Sequence, residues 1–169
     1  MRFLPNLNST RRNILLSTWG LFTGLALLLV TAGVYSTLVG IRAELKQLPT
    51  LVSGGITTAY YAGFLLGSWY TLRALKQVGH IRVYAALASL LSASVLITGV
   101  YNSPLIWIIM RSSTGFCFAG LYVVAESWLN GLATNTFRGR LLAMYNVVTI
   151  GAYGAGQLLV FNFDARTLT

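Results

Sequence analysis

The chain consists largely of long apolar runs separated by short polar or basic connections. Five runs are long enough to cross a bilayer, which takes about 20 apolar residues in a helix. The first run is also too long for the apolar core of a secretion signal. We therefore predict an all-α membrane helix bundle, with residues 1–13 as a cytoplasmic segment and 164–169 as a short external end. The predicted transmembrane spans are approximately residues 14–41, 51–75, 83–101, 105–129 and 141–163.

The composition favours a membrane protein over a soluble one. Hydrophobic residues make up 56% of the sequence and charged residues 9%, whereas about 25% of the residues in ordinary soluble domains are charged. A buried core helix could account for one apolar run, but five runs leave almost nothing for a soluble domain. We therefore expect a multi-pass protein surrounded by membrane lipid.

The positive charge follows the membrane topology. A net charge of +9 can indicate nucleic-acid binding when it is concentrated on one face, but here the basic residues form short clusters between apolar runs. With a cytoplasmic N-terminus, eight of them lie in inner segments and three in outer segments, as the positive-inside rule requires. This predicts the inner (plasma) membrane as the location and no nucleic-acid partner. The inner set is Arg2, Arg11, Arg12, Arg73, Lys76, Arg82, Arg138 and Arg140, and the outer set is Arg42, Lys46 and Arg166.

The fourth apolar run contains two charged residues, Arg111 and Glu126. Ionisable groups at membrane depth are costly, and they usually face protein or a water-filled cavity and have a function. Arg111 should lie about 10 Å below the outer surface, and Glu126 about 33 Å along the helix, near the inner surface. The two residues would be about 22 Å apart, too far to form an ion pair.

Arg111 shares its predicted depth with polar residues of three other spans. Together they could line a polar cavity inside the membrane. A guanidinium group keeps its charge and has five N–H donors, so Arg111 could bind a carboxylate or phosphate of a solute. Alternatively, it could bond carbonyl and hydroxyl groups of adjacent helices and organise the bundle. The substrate-cavity candidates are Tyr35, Tyr60, Tyr61, Arg111 and Gln157.

Glu126 should instead lie among the basic residues at the inner surface. An ion pair there would tie the inner loops together and could break when helices tilt, so the predicted role of this cluster is gating or structural. Glu126 is also the only carboxylate in these spans that could carry a coupling proton, although its depth near the interface is unfavourable for that role. The predicted charge cluster is Arg73, Lys76, Arg82, Glu126, Arg138 and Arg140.

Small residues recur four apart on single helix faces, a spacing that lets transmembrane helices pack closely. They predict a tight bundle rather than isolated membrane anchors. The residues are Ala59, Gly63 and Gly67 in the second span, Gly20 and Gly24 in the first, and Ala152 and Gly156 in the fifth.

The sequence offers no enzyme site. It lacks hydrolase, zinc-protease and nucleotide-binding motifs, and its three acidic residues leave little room for acid–base or metal chemistry. We expect His80 to be a solvated loop residue and Cys117 a small buried apolar residue. No catalytic residue, metal or cofactor is predicted.

Four segments carry a family resemblance, namely Arg111-x-x-x-Gly115-x-x-x-Ala119-Gly120, Glu126-Ser127, Arg138-Gly139-Arg140-Leu141-Leu142-Ala143 and Gly156-Gln157-Leu158-Leu159-Val160. They resemble the major facilitator superfamily and, more narrowly, its YcaD-like branch. Between the second and third spans the superfamily usually has an Asp, where this chain has Lys76; the YcaD-like branch similarly has a basic residue there.

The resemblance implies a permease with twelve helices in two halves, which moves a small solute by alternating access through a cavity between the halves. Five spans correspond to the N-terminal half without its sixth helix. We therefore expect either a fragment or a chain that works with a separately made partner, the missing C-terminal half. Protons are a candidate coupling ion. The alternative function is a non-transporting module that packs with other membrane proteins through its small-residue faces.

Overall fold

The computed structural model describes residues 7–132 and 138–162, and this part of the chain is built from five α-helices without any strand. The predicted all-α fold is therefore confirmed. Each predicted span corresponds to one helix. The helices are α1 (Leu7–Leu45), α2 (Thr50–Val78), α3 (His80–Val100), α4 (Pro104–Leu132) and α5 (Arg138–Asn162).

Three segments in the described part of the chain are long and apolar enough to cross a membrane, namely Phe22–Leu45, His80–Val100 and Pro104–Gly131. The helices α2 and α5 have sufficient length, but glycines and polar residues such as Tyr60 and Gln157 dilute their apolar content. Three of the five described helices therefore meet the length and composition criteria for crossing a membrane.

The chain divides into two compact units. The α1–α5 unit comprises residues 1–40 and 129–169, and it contains most of α1, the end of α4 and α5 as far as they are described. The α2–α4 unit comprises residues 41–128, and it contains the end of α1, all of α2 and α3, and most of α4.

In the α2–α4 unit, α4 carries the most deeply buried side chains. Cys117, Leu121 and Val124 are at most 1% exposed and recur at intervals of three or four residues, so they lie on one face of the helix. Cys117 is a free, buried thiol. Trp107 is also buried, and its indole N–H donates a hydrogen bond of 2.9 Å to the carbonyl oxygen of Tyr101, just before α4 begins.

The helices α2 and α4 approach each other backbone to backbone at two glycines. A Cβ atom added at Gly63 would clash with the carbonyl group of Ser112, and one added at Gly67 would clash with that of Phe116. Both glycines are buried. The small-residue face predicted on α2 is therefore a helix contact, and any side chain larger than hydrogen would push α2 and α4 apart.

In the α1–α5 unit the close contact involves Gly33 and Gly156. A Cβ atom at Gly33 would clash with the carbonyl oxygen of Tyr153, and one at Gly156 would clash with that of Val30. The predicted role of Gly156 in packing is thus confirmed, whereas Gly33 was not anticipated. The prediction for Gly20 was wrong, because Gly20 is exposed and a Cβ there would meet nothing within 4 Å.

The turn between α2 and α3 is a single residue. Gly79 is the C-cap of α2 and the N-cap of α3, with φ 83° and ψ 166°. This backbone region is accessible almost only to glycine. Because the turn is so short, His80 is already the first residue of α3.

Candidate functional site

The crossing of α2 and α4 brings Arg111 beside Tyr60. Gly115 lies one turn beyond Arg111 on α4, and a Cβ atom there would clash with the carbonyl oxygen of Tyr60. Without that Cβ, the backbone of α2 can lie directly against α4. As a result, Cζ of the Arg111 guanidinium lies 5.5 Å from the centroid of the Tyr60 ring.

This arrangement holds a permanent positive charge within an apolar helix. Arg111 is half-buried, and its Nε atom is fully buried. A cation this close to an aromatic face gains about 0.5–2 kcal/mol, and the gain is larger where water is excluded. The Tyr60 ring therefore stabilises the guanidinium in a partly desolvated position, and guanidinium groups in general bind carboxylate and phosphate oxygens well.

Other aromatic rings extend from Tyr60 along the same crossing. The Tyr61 ring contacts that of Tyr60 edge to face, with centroids 5.4 Å apart. Phe64 lies 6.2 Å from Tyr60 and 6.3 Å from Tyr122 of α4, measured between centroids. Tyr60 and Tyr61 were predicted, whereas Phe64 and Tyr122 were not. Phe64 follows Tyr60 by four residues, and this spacing on one helix face was the available signal.

The other two cavity candidates belong to the α1–α5 unit. Tyr35 is buried in α1, and Gln157 is exposed on α5, with its backbone close to Gly33. The structure therefore brings Arg111, Tyr60 and Tyr61 together within one unit. The predicted convergence of these three residues with Tyr35 and Gln157 stays a prediction.

A hydrogen bond between α3 and α4 forms close to Arg111. The hydroxyl groups of Ser94 and Ser113 are 2.8 Å apart, and Ser94 is buried. Ser113 belongs to the polar run Ser112–Thr114 that directly follows Arg111. Sequence reasoning did not single out this pair, because its α3 member lies among several similar serines.

Glu126 lies at the other end of α4. The helix is unbroken between Arg111 and Glu126, so the fifteen intervening steps separate the two residues by about 22 Å. The Glu126 side chain is exposed.

The basic residues of the predicted cluster lie in both units. Arg73, Lys76 and Arg82 are exposed in the α2–α4 unit. Arg138 and Arg140 belong to the α1–α5 unit, where Nε of Arg138 donates a 2.9 Å hydrogen bond to Oδ1 of Asn130. The proposed ion pairs between Glu126 and these basic residues stay predictions.

The expectation that His80 is a solvated loop residue was wrong. His80 is half-buried, with Nε2 3.0 Å from the hydroxyl oxygen of Ser127 near the end of α4. Its ring centroid lies 6.1 Å from that of Trp128. The single-residue turn at Gly79 is the reason, because it places His80 on a helix that packs against α4 rather than in a loop.

Comparison with curated proteins finds relatives described as "Uncharacterized MFS-type transporter YcaD", among them those of Salmonella arizonae, Salmonella typhi and Salmonella typhimurium. Each is 34% identical to this chain over 148 residues, which is 88% of the chain. The match covers 39% of each relative, so the chain spans about two-fifths of their length. No family model matches the chain, and no solved structure matches it.

Proposed function

The chain belongs to the major facilitator superfamily, in its YcaD-like branch, and from this premise we propose that it forms part of a secondary transporter. The transporter moves a small solute across the membrane by alternating access. The relatives are described as transporters, and the apolar helices make the chain a multi-pass membrane protein. We place it in the plasma membrane with its N-terminus in the cytoplasm, following the distribution of Lys and Arg.

The observation that carries this proposal is the contact between Arg111 and Tyr60. A charged side chain within a membrane helix is costly and is usually retained for a function. Here the charge is half-buried, lies over an aromatic ring, and has hydroxyl groups nearby on Ser112 and Ser113. Such a combination suits the binding of an anionic or strongly polar group of a solute.

In this proposal Arg111 supplies the charge, and Tyr60 and Tyr61 supply aromatic surface for the solute. Tyr35 and Gln157 remain candidates for the same cavity. At the inner surface, Glu126 and the nearby basic residues act as a gate, and Glu126 is the candidate for carrying a coupling proton. The C-terminal half of a transporter of this family is the expected partner, because the solute cavity lies between two halves.

The alternative function, a module that packs with other membrane proteins, has weaker support. That function requires the small-residue faces of the helices to bind helices of other membrane proteins. Gly63 and Gly67 are used within the chain to pack α2 against α4, and Gly156 is used to pack α5 against α1. These glycines are therefore not open to an external helix.

The proposal is tested by transport measurements in liposomes. The purified chain is reconstituted alone and together with the C-terminal half of a YcaD-type relative, and uptake is measured for carboxylates, phosphates, amines and neutral sugars. Each solute is assayed with and without an imposed pH gradient. We expect uptake of one solute class that falls at least about tenfold in Arg111→Gln and is retained in Arg42→Gln, which removes an arginine near the end of α1. If folded protein transports no solute class in either preparation, the proposal is contradicted.

A further inference from the structure

One face of α2 changes from apolar to basic along its length. Leu66, Trp69, Arg73 and Lys76 follow one another at intervals of three or four residues and therefore form a single stripe on the helix. All four side chains are exposed. The stripe from Leu66 to Lys76 is about 15 Å long, about half the thickness of the hydrocarbon core of a bilayer.

The middle of this α2 stripe holds an arginine against an aromatic ring. Cζ of Arg73 lies over the Trp69 ring, 3.7 Å from its centroid. A guanidinium in contact with an aromatic face keeps the N–H donors at its edge for other partners. Those groups match the oxygens of a phosphate in a bidentate geometry.

The charge around the stripe is positive. Arg73 and Lys76 lie near the end of α2, and Arg82 lies near the start of α3, on the other side of the single-residue turn at Gly79. Neither α2 nor α3 contains an Asp or Glu. The single acidic residue of α4, Glu126, leaves these three cations in excess, so the net field still favours an anionic ligand.

From these observations we propose that the α2 stripe binds an anionic phospholipid. The headgroup phosphate lies between Arg73 and Lys76, with Arg82 adding to the field, and an acyl chain lies along Leu66. Trp69 lies between the two regions, at the depth where tryptophan is enriched in membrane proteins. On the predicted orientation the lipid belongs to the inner leaflet. This inference requires only that the chain is in a membrane and is independent of transport.

A lipid explains the whole stripe better than a soluble phosphate does. A soluble phosphate would use Arg73 and Lys76 but would leave the exposed leucine and indole above them without a role. The order of the residues, apolar and then aromatic and then basic, follows the order of chemical groups in one phospholipid molecule. The length of the stripe also fits a single leaflet.

The test is a lipid titration of the purified, delipidated chain, followed by native mass spectrometry. Phosphatidylglycerol is compared with phosphatidylcholine, which has the same phosphate and chains but no net charge. We expect preferential binding of phosphatidylglycerol to the wild-type chain. Each of Arg73→Gln and Lys76→Gln should weaken that binding about fivefold, because a basic residue near an anionic membrane surface contributes about 1 kcal/mol. The matched control, Arg42→Gln, should leave it unchanged.

Two further measurements separate a lipid from other occupants. Glycerol 3-phosphate, which has the anionic group without acyl chains, should not displace phosphatidylglycerol at millimolar concentration. The temperature at which buried Cys117 becomes reactive to a maleimide dye verifies that each variant is folded. Equal binding of the two lipids, displacement by glycerol 3-phosphate, or an equal effect of Arg42→Gln would each overturn the proposal.

Discussion

The guanidinium of Arg111 and the ring of Tyr60 lie 5.5 Å apart because Gly115 has no side chain. The two residues belong to different helices, α4 and α2, and their contact depends on the backbone approach at this glycine. Close helix packing and the placement of a charge are therefore one structural feature. A larger residue in place of a glycine at the crossing should disturb both the packing of α2 against α4 and the position of the charge. A substitution of Arg111 changes the charge and leaves the glycine contacts in place.

Substitution of Arg111 distinguishes a solute-binding role from an organising one. Arg111→Lys keeps the charge but loses the planar group with five donors, whereas Arg111→Gln loses the charge. If Arg111 binds an anionic solute, we expect the glutamine variant to lose at least about tenfold in uptake, equivalent to about 1.4 kcal/mol, and the lysine variant to keep part of it. Both should unfold near the wild-type temperature. A large fall in unfolding temperature, with uptake lost equally in both variants, would instead indicate that Arg111 organises the bundle.

Gly63→Ala should destabilise the α2–α4 unit. The added methyl group would meet the backbone of Ser112, which cannot move aside as a flexible side chain could. Overpacking of this kind costs about 1–3 kcal/mol. The measurement is the temperature at which Cys117, which is 0% exposed, becomes reactive to a thiol-specific dye.

Gly54→Ala is the matched control for that substitution. Gly54 is on the same helix, but a Cβ atom there would meet nothing within 4 Å. Since alanine favours helix over glycine by about 1 kcal/mol, this variant should be as stable as the wild type or slightly more stable. Equal destabilisation by the two substitutions would argue against a tight crossing at Gly63.

Glu126→Gln should change transport more than stability. Glu126 is exposed, and exposed ion pairs contribute only up to about 1 kcal/mol, so the unfolding temperature should fall little. If Glu126 participates in gating, uptake by the reconstituted transporter should change severalfold; if it also carries the coupling proton, uptake should no longer respond to a pH gradient. The control is Glu44→Gln, which removes another exposed carboxylate near the end of α1. Unchanged uptake in Glu126→Gln would refute the gating role.

The helices themselves could be predicted because a long apolar run between basic connections has few alternative structures. The five helices cover the five predicted spans, apart from one terminal residue of the third span and one in the undescribed end of the fifth. Gly63 and Gly67 were also predictable, since their spacing is a known packing pattern. The same spacing gave a wrong prediction for Gly20, because a small residue forms a helix contact only if a partner helix lies on its side of the helix. Which side faces a partner depends on the tertiary structure and cannot be read from the local sequence.

Part of the geometry around Arg111 could also be predicted. The sequence singled out Arg111, Tyr60 and Tyr61 from their polarity and depth, and the Tyr60 ring contacts both of the other residues. Their role in binding a solute stays a prediction. Sequence reasoning missed the Ser94–Ser113 hydrogen bond, because each of these serines has several serine or threonine neighbours and only the rotation of the two helices selects the pair. His80 was misjudged because a turn of one residue was not foreseen.

The contact between His80 and Ser127 leads to the last prediction, which concerns the end of the α2–α4 unit opposite Arg111. The His80 imidazole and the Ser127 hydroxyl are 3.0 Å apart and join the start of α3 to the end of α4. A hydrogen bond of this kind contributes about 0.5–1.5 kcal/mol to stability. In a double-mutant cycle of His80→Ala, Ser127→Ala and the pair, we therefore expect a coupling energy in that range, measured by unfolding followed through Cys117. His80→Gln should restore part of the coupling, since its amide can still donate or accept a hydrogen bond. If the two alanine substitutions are additive, the imidazole contributes through packing on Trp128 rather than through Ser127.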